Sequence, residues 1–349
     1  MTRLSCRGKT SPACCLRCVV DLFRANLSDD YFTNRQDRYH LISSAEVTEY
    51  FARVYRTMCT LSYRLEHDDT KIGSLAMDWP TSNAQPSPLS DPAGYIKMAS
   101  KMMAPLLRPS AAASASAPSR RQTDTAIYPL LQLTPILKPD TSTELSGVSL
   151  ILRTLASKAF VNSSWTFTAG YFNMSPDFRA LLLATSPARG TVVAASPWAN
   201  GFYGSKGISG MLPAAYTHLA KQFLHAVKDK GLSKQVSLKE WRYGTVNEPG
   251  GWTYHAKGLW ITLPGEQNPS ISLIGSSNYT KRSYSLDLEA NTLIVTRNQD
   301  LMRRLGEEER WLQEHAKTVD ETDFEKTERR VGLHVRIAMW IVTLVGGAL

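Results

Sequence analysis

The chain has 349 residues, 43% of them hydrophobic, and a formal net charge of +9 at pH 7. This length can hold two domains or one large one, and the apolar content is ordinary for a globular protein with a buried core. The excess of Lys and Arg favours an anionic partner. Because no basic run resembles a nucleic-acid-binding arm, we expect anionic lipid or a phosphorylated metabolite and no nucleic acid. No run reaches the roughly 18 apolar residues that a membrane-spanning helix needs.

The first twenty residues contain four of the five cysteines, at Cys6, Cys14, Cys15 and Cys18. Cys15 and Cys18 have the spacing of half a zinc site, but no second half-site follows, so we expect free thiols and neither a metal nor a disulfide framework. The same stretch has several Arg, Lys, Ser and Thr and no acidic residue. That composition is compatible with an organelle transit segment, although its helical amphipathicity is poor.

Elements of both kinds follow along the chain. The apolar period over Glu46–Tyr63 predicts a helix, residues 78–92 predict a loop, and residues 107–124 are a low-complexity stretch expected to be disordered or a surface insertion. A second helix is predicted over Pro213–Asp229. Alternating or short apolar runs between turn residues predict strands over residues 165–172, 191–196, 254–262, 271–274 and 288–295. Strands mixed with helices predict an α/β protein.

The last two predicted elements lie near the C-terminus. Gln299–Lys317 predicts a charged helix with leucines at its apolar positions. Ile337–Leu349 is rich in Val, Ile and Leu. This segment fits a membrane interface, and it equally fits a terminal helix or strand docked on the core; the sequence leaves both open.

A pair of residues in the C-terminal half has the chemistry needed to attack a phosphodiester. His255 and Lys257 are two apart on the predicted strand over residues 254–262, so we expect their side chains on one face. A neutral His is a competent nucleophile toward phosphorus near neutral pH. Lys257 supplies a fixed positive charge for the non-bridging oxygens, on which such transfer depends.

A turn and a carboxylate complete this set. Gly275 and Ser276 are small enough to let the backbone approach a substrate closely, and Asn278 can donate its amide to the same oxygens. Glu289 could hold the second imidazole nitrogen and fix the tautomer of His255. Each part alone would be an ordinary strand, a surface turn or a solvated charge. Their ordered combination favours a catalytic site.

The interval of eleven residues between Asn278 and Glu289 recurs upstream between Asn26 and Asp37. This repetition suggests a duplicated site. With its ordered His-x-Lys and Gly-Ser-x-Asn motifs, the segment over residues 252–289 resembles the second half of a phospholipase D superfamily site. We therefore treat Asn26 and Asp37 as candidate catalytic residues of a first half.

A closer similarity is to the eukaryotic phosphatidylglycerophosphate synthases. It covers most of residues 21–315, except about residues 75–125. The segments that carry it are residues 25–39, 169–173, 195–202, 252–260, 273–278, 282–283 and 287–290. The resemblance implies a phospholipase D-like α/β fold of two pseudo-twofold-related mixed-sheet halves, with one active site between them.

The reaction implied is transfer of a phosphatidyl group from CDP-diacylglycerol to sn-glycerol 3-phosphate with release of CMP, a step toward cardiolipin in mitochondria. A His of one half would form a phosphatidyl-histidine, and the other His would protonate CMP and then deprotonate the glycerol hydroxyl. Gly275, Ser276 and Arg282 are expected to bind substrate, and no cofactor is expected. We also expect an anionic membrane surface as a partner and a peripheral place on the mitochondrial inner membrane.

The first half departs from the family. The expected His-x-Lys, sixteen residues before Asn26, falls on Thr10 and Pro12, and the first histidine of the chain is His40. Neither Thr10 nor Pro12 can act as nucleophile or as phosphate-binding cation. We therefore expect Asn26 and Asp37 to remain from an incomplete N-terminal half, and the chain to show little or no turnover. A catalytically silent relative that binds anionic lipid and a phospholipase D-type hydrolase are the alternatives.

These features divide the chain into five parts. The division expected is a divergent Cys-rich N-terminus, the remnant of the first half, a low-complexity linker, the second half and a tail, at residues 1–20, 21–106, 107–125, 126–320 and 321–349. The oligomeric state is not indicated by the sequence.

Overall fold

A computed structural model of the chain describes residues 3–5, 19–23, 28–67, 74–108 and 123–344. The chain falls into two compact units. The first comprises residues 1–23, 39–121 and 133–143, and the second comprises residues 24–38, 122–132 and 144–349. The segment 24–38, which the expected division assigned to the first half, therefore belongs to the second unit.

The described residues contain both helices and strands. The helices are α1 (Asp30–Thr33), α2 (Ala45–Thr60), α3 (Pro92–Leu107), α4 (Glu144–Leu155), α5 (Pro176–Leu183), α6 (Leu212–Asp229), α7 (Lys281–Ser285), α8 (Gln299–Trp311) and α9 (Leu333–Leu344). The strands are β1 (Arg3–Ser5), β2 (Val19–Phe23), β3 (Arg35–Gln36), β4 (Tyr39–Ser43), β5 (Arg64–His67), β6 (Leu75–Asp78), β7 (Thr125–Gln132), β8 (Ser164–Ala169), β9 (Arg189–Ala195), β10 (Val236–Trp241), β11 (Thr253–Tyr254), β12 (Gly258–Thr262), β13 (Ile271–Gly275), β14 (Glu289–Thr296) and β15 (Ala316–Val319).

The first unit contains a three-stranded antiparallel sheet in the order β1-β2-β4, the β5-β6 hairpin, and the helices α2 and α3. Ser44 caps α2 by accepting a hydrogen bond from the first turn, and the helix buries Phe51. The two helices are in contact, and the Tyr50 hydroxyl donates to the Leu106 carbonyl at 3.0 Å. The helix predicted over Glu46–Tyr63 is thus confirmed, although it ends at Thr60, three residues before the predicted end.

The second unit is built on an eight-stranded mixed sheet in the order β15-β10-β9-β8-β12-β13-β14-β7. β8, β9 and β10 run parallel, with α5 and α6 as the connections between them, and the other neighbours are antiparallel. Parallel neighbours need such crossover connections, which explains why helices alternate with strands here. The predicted α/β class is confirmed.

Both faces of this sheet are covered. Successive residues of a strand point to opposite faces, so Val192 and Val193 of β9 enter different cores. Val192 packs in the core that includes Phe223 of α6 together with side chains of α4 and α5. Val193 packs with Trp260 of β12 and Leu305 of α8 on the other face. The unit therefore has three layers, with helices on each side of the sheet.

Two predicted elements differ from the structure. The strand predicted over residues 254–262 is interrupted at residues 255–257, between β11 and β12. The helix predicted over Gln299–Lys317 ends at Trp311, and part of its remainder forms β15, which pairs with β10. Leu312 is the last buried apolar position of that helical pattern, so beyond it strand pairing, and not helix packing, satisfies the backbone.

The C-terminal segment forms α9, which is in contact with α6. Residues 345–349 lie outside the described residues. The docked helix, one of two arrangements left open by the sequence, is therefore observed, while a place in a membrane interface stays a prediction. Within the described part of the chain, no helix is both long enough and apolar enough to cross a bilayer.

Candidate active site

Two short parallel strands bring distant parts of the chain together. β3 pairs with β11, with Gln36 opposite Tyr254. The pairing continues beyond the strands, because the backbone N–H of His255 donates to the carbonyl of Gln36 at 2.8 Å. As a result Asp37 lies beside His255, although 218 residues separate the two in the sequence.

Asp37 holds one nitrogen of the His255 imidazole. Its Oδ2 is 2.9 Å from Nδ1, and the two residues are only 2% and 9% exposed. Because a carboxylate only accepts hydrogen bonds, Nδ1 donates and the lone pair of the ring lies on Nε2. The Tyr31 hydroxyl is 3.3 Å from Nδ1, and the rings of Tyr31 and Tyr171 pack edge-on against His255. The ring is therefore fixed with Nε2 as the nitrogen suited to chemistry.

Lys257 brings a positive charge to that nitrogen. Its Nζ lies 2.8 Å from Nε2 of His255 and donates to the His255 carbonyl at 3.1 Å. Lys257 is fully buried. The two side chains meet, as their spacing of two predicted, although residues 255–257 do not belong to a regular strand. A phosphate group placed at Nε2 would meet the ammonium at the same point.

Gly258 explains why the strand is interrupted. Its φ is +139°, in the region that favours glycine. A Cβ at this position would lie 2.1 Å from Nη1 of Arg38 and 2.2 Å from the carbonyl oxygen of Leu273. The chain can therefore turn from the site into β12 only because residue 258 has no side chain.

Gly258→Ala is expected to lower the free energy of unfolding by about 3 kcal/mol or more, because both the backbone angle and the close contacts oppose a side chain. Gly265→Ala is the matched control. Gly265 also has a positive φ, of +84°, but nothing lies within 4 Å of its Cβ position, so only the backbone cost of about 1 kcal/mol is expected. Urea denaturation measures both variants, and equal losses would contradict the steric explanation.

Arg38 fastens this corner of the site to the sheet. Its hydrogen bonds go to Oε1 and Oε2 of Glu308, each at 3.0 Å, to the carbonyl of Leu273 at 2.9 Å and to Oγ of Ser272 at 2.9 Å. The guanidinium also lies over the ring of Trp260, 3.7 Å from its centroid, and the residue is 1% exposed. Because Arg38 directly follows Asp37, these contacts position the carboxylate that holds His255.

The turn after β13 is held by the neighbouring strand β14. A Cβ at Gly275 would lie 1.9 Å from Oδ1 of Asn291, so this position also requires glycine. The N–H of Ser276 donates to the carbonyl of Ala290 at 3.1 Å, and its Oγ accepts from the N–H of Ala290 at 3.0 Å. Gly275 and Ser276 thus shape the turn, and their contact with substrate stays a prediction.

Asn278 follows in the same turn. Its backbone N–H donates to Oγ of Ser283 at 3.2 Å. Its side-chain Oδ1 is buried and has no hydrogen-bond donor among the described residues. Buried acceptors are usually paired, so this amide is a candidate for contact with a bound group. The predicted donation from the amide to phosphate oxygens remains to be tested.

Glu289 does not have the position that the sequence suggested. The carboxylate observed at Nδ1 of His255 belongs to Asp37, because β3, and not β14, pairs with the strand that leads to His255. Glu289 is buried at the beginning of β14, near Tyr284. Burial raises the pKa of Tyr284 well above its ordinary value, and neighbouring charges, Glu144 first and Glu289 among them, raise it further.

Arg282 is connected to the site through aromatic side chains. Tyr171, which packs edge-on against His255, stacks on Tyr216 with ring centroids 5.9 Å apart. Burial raises the pKa of Tyr216, Tyr171 raises it further, and the charge of Arg282 lowers it, so Arg282 lies near Tyr216. Arg282 also pairs with Asp287 at 3.0 Å. Its binding of substrate stays a prediction.

Some predicted positions fall outside the described residues: Asn26, Thr10, Pro12 and the four N-terminal cysteines. Over residues 28–67, 74–108 and 123–344, no three His, Cys, Asp or Glu side chains converge on a possible metal position. Tyr31, Arg38 and Tyr171 were not among the site residues predicted from the sequence. All three lie in segments that carry the family resemblance, which is the signal that could have identified them.

The chain resembles known proteins in sequence, although no family model matches it. It is 42% identical over 331 residues to the CDP-diacylglycerol–glycerol-3-phosphate 3-phosphatidyltransferase of Saccharomyces cerevisiae, which covers 93% of this chain and 63% of that protein. It is 35% identical over 340 residues to the mitochondrial enzyme of the same name from Homo sapiens, covering 91% and 57% of the two chains. The chain thus spans about three fifths of the length of the curated relatives it matches.

The fold resembles that of a solved enzyme. The crystal structure of phosphatidylserine synthase from Haemophilus influenzae superposes with a TM-score of 0.63 at 19% identity, covering 95% of this chain and 67% of that one. At this identity the likeness concerns the fold alone, and it agrees with the predicted phospholipase D-like α/β class. In sequence the chain is therefore similar to the CDP-diacylglycerol–glycerol-3-phosphate 3-phosphatidyltransferases over more than nine tenths of its length, and in fold it is similar to phosphatidylserine synthase.

Proposed function

We propose that the chain carries one half of a phosphatidyltransferase site. The reaction moves a phosphatidyl group from CDP-diacylglycerol to sn-glycerol 3-phosphate and gives phosphatidylglycerophosphate and CMP. The observation that carries this proposal is the arrangement around His255: Asp37 lies 2.9 Å from Nδ1 and Lys257 lies 2.8 Å from Nε2. The names of the two relatives, which specify CDP-diacylglycerol and glycerol 3-phosphate, support the choice of substrates.

The proposed reaction has two steps, with one His in each role. First, Nε2 of a nucleophilic His forms a bond to phosphorus while the bond from phosphorus to the CMP oxygen breaks, and the second His donates a proton to CMP. The second His then takes the proton of the glycerol 3-phosphate hydroxyl, whose oxygen bonds to phosphorus as the phosphorus–nitrogen bond breaks. His255 has the geometry for either role. Lys257 would stabilise the charge on the non-bridging oxygens in both steps.

Glu289 receives a revised role in this proposal. Asp37 and Glu289 follow Asn26 and Asn278 at the same interval of eleven residues. Asp37, which the sequence analysis assigned to the first half, holds the His of the second half. By the same relation, Glu289 of the second half would hold the His of the first. Its exposure of only 5% supports a carboxylate that acts inside a site and not at the surface.

The second His of the reaction is absent from the expected position, where the chain has Thr10. We therefore expect little or no turnover from the chain by itself. This substitution also favours a second candidate function, a catalytically silent relative that binds anionic lipid. A hydrolase that transfers the phosphatidyl group to water is the remaining alternative.

We further propose that the chain acts in the mitochondrion, peripherally on the inner membrane and on an anionic lipid surface. The mammalian relatives are named mitochondrial, which supports the compartment. The lipid substrate and the net charge of +9 support the surface.

The test compares the chain with a completed chain, in which the N-terminal part of the S. cerevisiae relative precedes residues 24–349. Each is incubated with CDP-diacylglycerol in detergent micelles and labelled sn-glycerol 3-phosphate. We expect lipid-soluble label and CMP from the completed chain, loss of both in its His255→Ala variant, and close to background from the chain by itself.

Other outcomes select the alternatives. Phosphatidic acid in place of the labelled lipid would identify a hydrolase. No product from a completed chain that is folded by circular dichroism and still binds anionic vesicles would identify a silent lipid-binding relative. Robust turnover by the chain without the added segment would contradict the requirement for a second His in the missing position.

A further inference from the structure

One face of α9 exposes large apolar side chains. Leu333, Ile337, Trp340 and Ile341 are 68%, 48%, 63% and 47% exposed. At about 100° per residue they fall within an arc of about 100° on the helix surface. They therefore form a continuous stripe, which we call the α9 stripe. Large apolar side chains gathered on one exposed face mark a surface that something else covers.

The opposite face of α9 attaches the helix to its own unit. Val335 is 3% exposed, and α9 is in contact with α6. Between the two helices lies an open groove of about 460 Å³. Its walls are His218, Leu219 and Gln222 of α6 and Leu333, Arg336, Ile337, Met339 and Trp340 of α9. The helix is thus docked, and most of the stripe forms part of one wall of this open groove.

The surroundings of the stripe are basic. At the same helical spacing, Arg336 and His334 fall on its two sides, about 160° apart. Burial lowers the pKa of His218 in the groove, and the charges of Arg336 and Lys221 lower it further, so both cations lie near the groove. From residue 330 to residue 349 the sequence contains two Arg and no Asp or Glu.

We infer that the α9 stripe and the adjoining α6–α9 groove dock this unit on an anionic phospholipid surface. The apolar side chains would enter the boundary between headgroups and acyl chains, while Arg336 and Lys221 would contact the headgroup phosphates. Trp340 suits this boundary because its indole combines a large apolar ring with a polar N–H. The inference rests on the proposed function in one respect, which is that the substrate is a lipid.

The position of α6 connects this surface with the catalytic residues. Tyr216 is two residues before His218 on α6, and it stacks on Tyr171, which packs edge-on against His255. Tyr216 and Leu219 are about 5 Å apart along the helix axis. A lipid surface that covers the groove would therefore lie close to the stacked rings of Tyr171 and Tyr216 beside His255. This position suits a substrate taken from that surface.

Charge distinguishes a lipid surface from a second copy of the chain. Two copies that met through this stripe would bring like-charged Arg336 and Lys221 side chains together, which disfavours pairing. An anionic membrane instead complements both cations and the apolar stripe. We therefore take the membrane as the occupant and make self-association an outcome of the test.

The experiment measures co-sedimentation of the full chain with vesicles of phosphatidylcholine alone and of phosphatidylcholine with phosphatidylglycerol. Ile337→Gln, Trp340→Gln and Ile341→Gln together should weaken binding to both vesicles at least about tenfold. Arg336→Gln with Lys221→Gln should weaken binding to the anionic vesicles alone, by about fivefold per charge. No loss of binding in either set would overturn the inference.

Matched controls carry the same changes elsewhere in the unit. Leu150, Val161 and Trp311 are also exposed, at 68%, 45% and 57%, so their triple Gln variant tests general loss of surface apolarity. Lys230→Gln with Lys234→Gln tests general loss of charge. Both controls should bind as the original chain does, and equal losses in them would overturn the inference.

Two further measurements separate the remaining explanations. Light scattering should show the same mass for the chain and the triple α9 variant; a dimer lost only in the variant would assign the stripe to self-association and overturn the inference. Turnover of the completed chain in detergent micelles should survive the α9 changes, because no extended lipid surface is needed there. Vesicle binding without any such turnover would leave this inference standing and reject the proposed function.

Discussion

Asp37→Asn is expected to lower phosphatidyl transfer by the completed chain about 10⁴-fold, the scale found when a carboxylate that orients a catalytic His is neutralised. In the structure Asp37 lies 2.9 Å from Nδ1 of His255 and is almost completely buried. The Asn side chain keeps the size but loses the charge that stabilises a positively charged ring. Its amide can also present N–H to Nδ1, which would move the ring proton to Nε2 and remove the lone pair.

The measurement is the initial rate of labelled lipid formation over a range of pH. Asp29→Asn is the matched control, because Asp29 is an exposed acid in the same segment. It should leave the rate unchanged within about twofold, as expected of a surface substitution. If the Asp37→Asn variant of the completed chain retained half the original rate, the proposal that the Asp37 carboxylate orients His255 would be contradicted.

Glu289 is proposed to act on the other His as Asp37 acts on His255. If Glu289 holds the His supplied by the added segment, Glu289→Gln should lower the rate of the completed chain by a factor similar to that of Asp37→Asn. In the chain without the added segment, the rate should stay close to background with or without Glu289→Gln. A Glu289→Gln variant that is fully active in the completed chain would reject the paired arrangement of the two carboxylates.

Arg38→Ala is expected to lower the free energy of unfolding by about 3–5 kcal/mol, the range for removing one partner of a buried ion pair. The change leaves the Glu308 carboxylate without its two-point partner and the Leu273 carbonyl without a donor. It also removes the cation from the face of Trp260. The stability of the Arg38→Lys variant should lie between that of the unchanged chain and that of Arg38→Ala. An ammonium keeps the positive charge but cannot form two parallel hydrogen bonds to one carboxylate.

Urea denaturation followed by circular dichroism measures this loss. Arg303→Ala is the control, because Arg303 also forms two hydrogen bonds to carboxylate oxygens, those of Asp300 and Glu307, but on the surface. Exposed pairs of this kind contribute at most about 1 kcal/mol. Equal losses for the two variants would show that the burial of Arg38 is not what makes it important. In the completed chain, Arg38→Lys should also lower turnover, since Asp37 loses its anchored neighbour.

Local patterns in the sequence predicted the regular elements with long apolar periods. The helix over Pro213–Asp229 appears as α6 with its beginning one residue earlier. Such a helix is predictable because every turn repeats the same apolar face. The interruption at residues 255–257 was not predicted, because it depends on the close approach of Arg38 and Leu273 to Gly258. No pattern around Gly258 reveals neighbours that are distant in the chain.

The candidate site was also predicted only in part from the sequence. The ordered motif identified His255 and Lys257, whose side chains meet although residues 255–257 do not form a regular strand. The interval of eleven residues identified Asp37 and Glu289 as carboxylates of interest. It did not show which of the two carboxylates contacts His255. The sequence suggested that Glu289 holds the second imidazole nitrogen, but in the structure Asp37 lies at Nδ1.

The sequence by itself indicated the similarity to known phosphatidyltransferases, the α/β class and the candidate reactive side chains, because these depend on residue types at short spacings. Only the tertiary structure decided which groups meet. The parallel pairing of β3 with β11 joins Asp37 to His255 across 218 residues, and Arg38 fastens that pairing to the sheet. Contacts of this kind depend on backbone hydrogen bonds and burial between distant segments, which no local spacing encodes.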